Sequence, residues 1–126
     1  MRYYYSIPIG CIEGIKSDLE RADCFRITKN SPPDQEDFCP QLFMIPPQDR
    51  VIADPCKFCG ASVFTNFAYA KEQLKRFKKL GSYLFKGHVQ SSIHGPLVNT
   101  GMYHYNWYQY EGIDPTVVFG ENVYEL

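Results

Sequence analysis

Cys56-Lys57-Phe58-Cys59, followed by Gly60, is the most specific local pattern in the sequence. Two thiolates separated by two residues can reach one tetrahedral zinc ion, and a following glycine permits the backbone turn that such knuckles use. A closed site needs two more donors, and a second CxxC is absent. His88 and His94, separated by five residues, could supply them, as could His104, Cys39, Cys24 or Cys11, although the distance from Cys59 to His88 is longer than in a classical finger and the match is partial. The expected zinc ligands are therefore Cys56, Cys59, His88 and His94. The bland account is a pair of ordinary thiols in a loop, because half of a ligand pattern is common by chance.

The same cysteines admit a redox reading. Val51-Ile52-Ala53, then CxxC, then a helical pattern resembles the order found in thioredoxin-like proteins. The resemblance implies an oxidoreductase in which a helix N-terminus lowers the pKa of the first thiol, with Pro96 after Gly95 as the proline facing the pair. Pro55 directly before the first cysteine, Gly60-Ala61-Ser62 before the clearest helix, and a β-rich end depart from that pattern.

Tyr103-His104-Tyr105-Asn106-Trp107-Tyr108-Gln109-Tyr110 is the densest aromatic run. Strand alternation puts Tyr103, Tyr105 and Trp107 on one face and His104, Tyr108 and Tyr110 on the other. Exposed Tyr and Trp suit protein interfaces, since they offer large rigid area with a polar tip. Tyr103, Tyr105, Trp107 and Tyr108 are thus the expected partner-binding residues, against the plain alternative of a central strand buried on both faces. No Lys or Arg interleaves the rings, as a base-stacking platform would require.

Other chemistry is sparsely signalled. Lys71, Lys75, Arg76, Lys78 and Lys79 form a local basic helix face, which a solvated surface explains without any partner. Ser91-Ser92-Ile93-His94 sets hydroxyls beside an imidazole, but no nucleophile elbow, phosphate-binding loop or dinucleotide fingerprint is present. An N-terminal strand–helix–strand with Gly112-Ile113-Asp114-Pro115 before a late strand resembles compact ADP-ribosyltransferase-like folds, and no catalytic residue of that family can be placed on this chain.

Composition bounds the rest. The chain has 126 residues, 44% hydrophobic and 21% charged, which suits one globular domain spanning 1–126. Ten Tyr, nine Phe and one Trp favour sheet over helical bundle. A net charge of −1 removes the field that nucleic acid or an anionic membrane would need. No apolar window reaches the roughly 18 residues of a membrane span, and the N-terminus lacks an export signal. The five cysteines are then expected as reduced thiols or metal ligands of a cytoplasmic protein.

The elements that must position these residues follow from periodicity. Arg2–Ile7 reads as a strand; Ile12, Ile15, Leu19 and Ala22 recur at helical spacing; Cys24–Thr28 reads as a strand; and residues 30–41 read as a surface loop. Short strands are expected at Leu42–Ile45 and Val51–Ala53, and a helix from about Ser62 or Thr65 to Leu80, stopped by Gly81. Tyr83–Phe85, Met102–Tyr110, Thr116–Phe119 and Asn122–Leu126 read as strands, with residues 87–101 irregular. The expected fold is α+β, a compact domain with a mostly antiparallel sheet and two helices. The expected function is a small protein-binding or accessory module acting through an aromatic surface, with homo-oligomerisation open. The alternative is a small enzyme, either a CxxC oxidoreductase or a transferase with a His-containing pocket.

Overall fold

A computed structural model describes residues 2–43 and 55–126. Six strands form one antiparallel sheet: β1 (Arg21–Thr28), β2 (Ala61–Phe64), β3 (Tyr83–Gln90), β4 (Leu97–Gly101), β5 (His104–Trp107) and β6 (Glu121–Glu125), in the order β4-β5-β2-β1-β3-β6. The helices are α1 (Ile9–Ile12), α2 (Phe67–Arg76), α3 (Ser91–His94) and α4 (Pro115–Val118). The α+β class and the antiparallel sheet match the sequence reading; α2 is the one helix longer than a single turn among the described residues. No helix among those residues is long and apolar enough to cross a membrane.

β1 and β3 pair over eight residues, from Arg21 opposite Gln90 to Thr28 opposite Tyr83. Alternation sends Phe25 and Ile27 to one face, where Phe64, Leu84, Ala70 and Leu74 complete a cluster under α2. Cys24 goes to the other face, with Val63, Phe85, Val89, Leu97, Trp107, Phe38 and Phe119. The centre of the sheet is therefore covered on both faces, with rings on each, whereas Arg21, Asp23 and His88 at one end of β1–β3 are exposed.

α2 begins at Asn66, whose side chain accepts the Tyr69 N–H at 2.9 Å, the expected N-cap chemistry. Ala70 and Leu74 face the sheet, whereas Phe77 and Leu80 are about half exposed, because the α-helix stops at Arg76 and a 3-10 turn (Lys78–Leu80) follows. Gly81 ends that turn at φ 154°; a Cβ there would lie 2.2 Å from the Thr28 carbonyl oxygen, so glycine is required.

Several expected elements differ. Ile12–Ala22 is not a helix: α1 covers one turn before it, and β1 already starts at Arg21. The 3–4 spacing there arises from isolated residues such as Ile15 and Leu19 dipping onto separate clusters. Arg2–Ile7 pairs only as an isolated bridge at Tyr3. The aromatic strand shrinks to His104–Trp107, because Tyr103 adopts φ 57° in the β4–β5 turn. Residues 87–101 contain the end of β3, α3 and β4, and Thr116–Phe119 is replaced by α4, capped by Asp114 with Pro115 in its first turn. The loop after Asn30 contributes a core side chain: Asp34 and Asp37 form a reciprocal capping box on a 3-10 turn (Gln35–Phe38) that buries Phe38. The expected strand at Leu42–Ile45 lies mostly outside the described residues, with Leu42 and Phe43 in a 3-10 turn, and Val51–Ala53 lies wholly outside them.

Two substitutions on α2 separate its buried and exposed faces. Leu74→Ala should lower the unfolding free energy by about 2–5 kcal/mol, read as a lower urea midpoint at unchanged slope. Phe77→Ala should change it by under about 1 kcal/mol. Equal losses at both positions would contradict the packing described.

Candidate functional site

The cysteines are arranged differently from either sequence reading. A 3-10 turn (Pro55–Phe58) brings Cys56 beside α1, where it forms a disulfide with Cys11, 45 residues away. The Cα atoms stand 5.3 Å apart, within the range a disulfide needs. Cys24, Cys39 and Cys59 take no part in a disulfide. The expectation of five reduced or metal-bound cysteines is thus corrected for Cys11 and Cys56. β2 follows Cys59 directly, so no helix N-terminus faces the CxxC as the thioredoxin-like order requires.

The four expected zinc ligands are not brought together. Cys56 offers no thiolate, and Cys59 is buried, donating its S–H to the Pro55 carbonyl at 3.0 Å. His88 lies on β3, its Nδ1 3.0 Å from Oδ1 of Asp23 across the strand pair. His94 ends α3, and its Nδ1 accepts the Gln90 N–H at 2.9 Å. Among the described residues no group of three or more His, Cys, Asp and Glu side chains converges as a metal site would. Gly60 has a packing role instead: a Cβ there would lie 2.8 Å from Cβ of Asn106.

The expected partner-binding residues divide. Trp107 is 1% exposed and packs edge-on against Phe38 and tilted against Phe119, with its Nε1–H donating to the His94 carbonyl. Tyr108 is also buried, its hydroxyl bonded to the Cys56 carbonyl at 3.2 Å. Tyr105 is half-buried against the Trp107 cluster. Only Tyr103 is properly exposed, beside Tyr69 at 5.6 Å. Of the basic helix face, Lys71 and Lys75 sit over the Tyr124 ring at 4.7 and 5.8 Å, an intramolecular cation–π use of their charge.

An exposed aromatic surface exists at the other end of the sequence. Tyr4 donates its N–H to the Gln109 carbonyl and Glu111 donates to the Arg2 carbonyl, both at 2.8 Å, flanking the Tyr3–Tyr110 bridge. Residues 108 and 110 bond in turn to the carbonyls of Pro96 and His94. In this antiparallel pattern Arg2 accepts and Tyr4 donates on the inner side, so the backbone groups of Tyr3 point away. Those outward groups make no backbone bond among the described residues. Beside them lies an open groove of about 470 Å³ lined by Arg2, Tyr3, Tyr4, Tyr5, Ser6, Ile7, Ile12 and Glu111. Tyr4 and Ile12 are exposed, and Tyr5 stacks on Phe43 at 5.2 Å.

From the groove, the Tyr5 side chain reaches inward toward Cys39 and Arg26. Burial raises the Tyr5 hydroxyl to about 12 and holds the Cys39 thiol above its ordinary range, so both stay protonated at neutral pH. Arg26 is pulled down to about 10, mainly by burial, with Asp37 opposing the shift, so it remains a cation. Its Nε donates to the Asp37 carbonyl and its Nη1 to the Ser62 carbonyl, where β1 and β2 part beyond the Phe25–Phe64 pair.

A second polar array runs through His104. Its Nδ1 contacts the Thr100 hydroxyl, and its Nε2 lies 3.0 Å from Oγ of Ser62. Burial lowers its pKa, and the nearby Arg26 charge adds to this. It is a neutral imidazole held between two hydroxyls. His94 is lowered as well, by burial first and His88 second.

Sequence reading missed the groove because Tyr3-Tyr4-Tyr5 looks like any β-prone run; only its pairing with residues 109–111 exposes one edge. Comparison of the chain with protein-family models, curated proteins and solved structures finds no match.

Two measurements check this arrangement. The unreduced protein should expose three alkylatable thiols on denaturation, and Cys11→Ser should cost up to about 4 kcal/mol, the loop-closure contribution of a cross-link of this span. Five reactive thiols would remove the disulfide. For the imidazoles, a folded pKa below the unfolded value of about 6.5 means that the unfolded chain takes up protons first. Their stabilising contribution is complete above about pH 6.5 and lost as pH falls below it. The urea midpoint should therefore drop between about pH 7 and about pH 5, before carboxylates protonate, and His104→Gln should remove part of the drop. A flat wild-type profile over that window would show imidazoles free to charge.

Proposed function

We propose that the protein is a small protein-binding module that takes an extended peptide segment of its partner along Tyr3–Tyr5. The observation that carries this reading is the outward-facing backbone of Tyr3 beside a groove rimmed by exposed Tyr4 and Ile12. An added strand gains main-chain hydrogen bonds whatever its sequence, and the groove side chains set its preference. Tyr4 and Ile12 favour an aromatic or branched aliphatic side chain, as rigid apolar anchors do at binding hot spots. Arg2 and Glu111 bring one charge of each sign to the groove, so net charge of the peptide is a minor factor. In this reading the aromatic surface lies at the N-terminal tyrosines instead of Tyr103, Tyr105, Trp107 and Tyr108, and Tyr108 serves by packing against Tyr3.

Random peptides displayed on phage and selected against the folded protein test this. The best binder, titrated into labelled protein, should move the amide signal of Tyr3 most. Tyr4→Asp should weaken it at least tenfold, about 1.4 kcal/mol, with folding unchanged. Binders that leave residues 3–6 unmoved, or that hold Tyr4→Asp equally well, would sink the reading.

A further inference from the structure

The CxxC spacing has a use that the peptide groove does not absorb. Cys11, Cys56 and Cys59 belong to one apolar cluster with Ile7 and Tyr108. Cys56 lies in a 3-10 turn and Cys59 follows that turn directly, with its Sγ 3.0 Å from the carbonyl of Pro55, so the thiol is folded back toward the residue that precedes Cys56. Two anchors hold that turn against the cluster: the Tyr108 hydroxyl on the Cys56 carbonyl and the Cys59 S–H on the Pro55 carbonyl.

We propose that these three sulfurs form an exchange site in which Cys59 resolves the Cys11–Cys56 disulfide. Cys59, as thiolate, attacks Sγ of Cys56; the Cys56–Cys59 bond forms, the bond to Cys11 breaks, and Cys11 leaves as thiolate to take up the proton that Cys59 lost. One disulfide and one thiol are present before and after, so no external oxidant or reductant enters. Because the thiolate is the nucleophile, the rate climbs with pH.

The exchange has a structural consequence at the groove. The Cys11–Cys56 bond ties α1 to the 55–58 turn. α1 is a single turn whose N-cap residue, Pro8, makes no side-chain cap, and so short a helix does not hold its shape by itself. Releasing Cys11 therefore loosens Ile7 and Ile12, two walls of the groove, and with them the seat of the peptide. This control of the groove rests on the peptide-binding reading; the sulfur chemistry does not.

The test uses the whole oxidised protein and N-ethylmaleimide, followed by peptide mapping without reduction. At mildly alkaline pH, label should collect on Cys11 while a Cys56–Cys59 disulfide appears, faster as pH rises. Cys59→Ser and Cys59→Ala should both keep Cys11–Cys56 and leave Cys11 unlabelled. Label on Cys59 with Cys11–Cys56 intact, or equal labelling of Cys11 in wild type and both variants, would overturn the exchange. Chymotrypsin reads the groove without any peptide: it should cut after Tyr4 or Tyr5 several times faster in Cys11→Ser, which leaves Cys56–Cys59 as the pairing of this cluster, than in Cys59→Ser. Equal cutting would overturn the control of the groove while the trapped Cys11 still supported the exchange. Failure of the phage selection would leave both readouts untouched.

Discussion

The eight-residue ladder between β1 and β3 is the constraint to which the rest of the molecule answers. Its central side chains, Cys24, Phe25 and Ile27 with Leu84, Phe85 and Val89, are apolar on both faces, so each face needs its own cover there, whereas Arg21, Asp23 and His88 at one end stay exposed. α2 covers one with Ala70 and Leu74. Among the described residues the other has no long helix and is closed by rings brought from separate parts of the chain: Phe38 from the capped turn after Asn30, Trp107 from β5 and Phe119 from the end of α4. Rings supply more buried area per residue than any other side chain. The high aromatic content is therefore, in large part, the means by which a chain with one sizeable helix covers a two-sided sheet.

The same constraint decides what was legible in the sequence. α2 was readable because an Asn cap, an Ala70–Leu74 stripe and terminal basic residues agree, and β1 because Cys24–Thr28 alternates between two apolar faces. The Tyr103–Tyr110 run was ambiguous for a physical reason: rings on both faces look alike whether a strand is buried twice or exposed once. Trp107 and Tyr108 resolve that ambiguity toward burial. Asp114-Pro115 carried a helix-start signal for α4, but Thr116, Val117 and Val118 favour strands, and tertiary packing overrode that preference. The Cys11–Cys56 pair had no local signature at all, since 45 residues separate its members and the cysteine count is odd. For the candidate site, the residue types were visible in Tyr3-Tyr4-Tyr5, but which backbone edge they leave open depends on residues 109–111 a hundred positions on.

That open edge stands out by comparison with the two ends of the sheet. Exposed strand edges invite pairing with other chains, and proteins blunt them with charges, bends or covering segments. At β4, the N–H of Leu97 goes to the Ser17 hydroxyl, the N–H of Asn99 goes to the Asp18 carboxylate, and the Asp18 N–H returns to the Leu97 carbonyl, so residues 17–18 cover the edge. At β6, Glu121 and Glu125 sit exposed at either end of the strand. Antiparallel pairing of two copies about Val123 would set Glu121 against Glu125, which disfavours self-association there. The Tyr3–Tyr5 edge has neither device among the described residues: its neighbours are Tyr4, Ile7 and Ile12, and its one flanking cation, Arg2, stands beside Glu111. Among the described residues two edges are protected by different means and the backbone of Tyr3 has no such cover, which is the physical basis for proposing it as the place where another polypeptide is received.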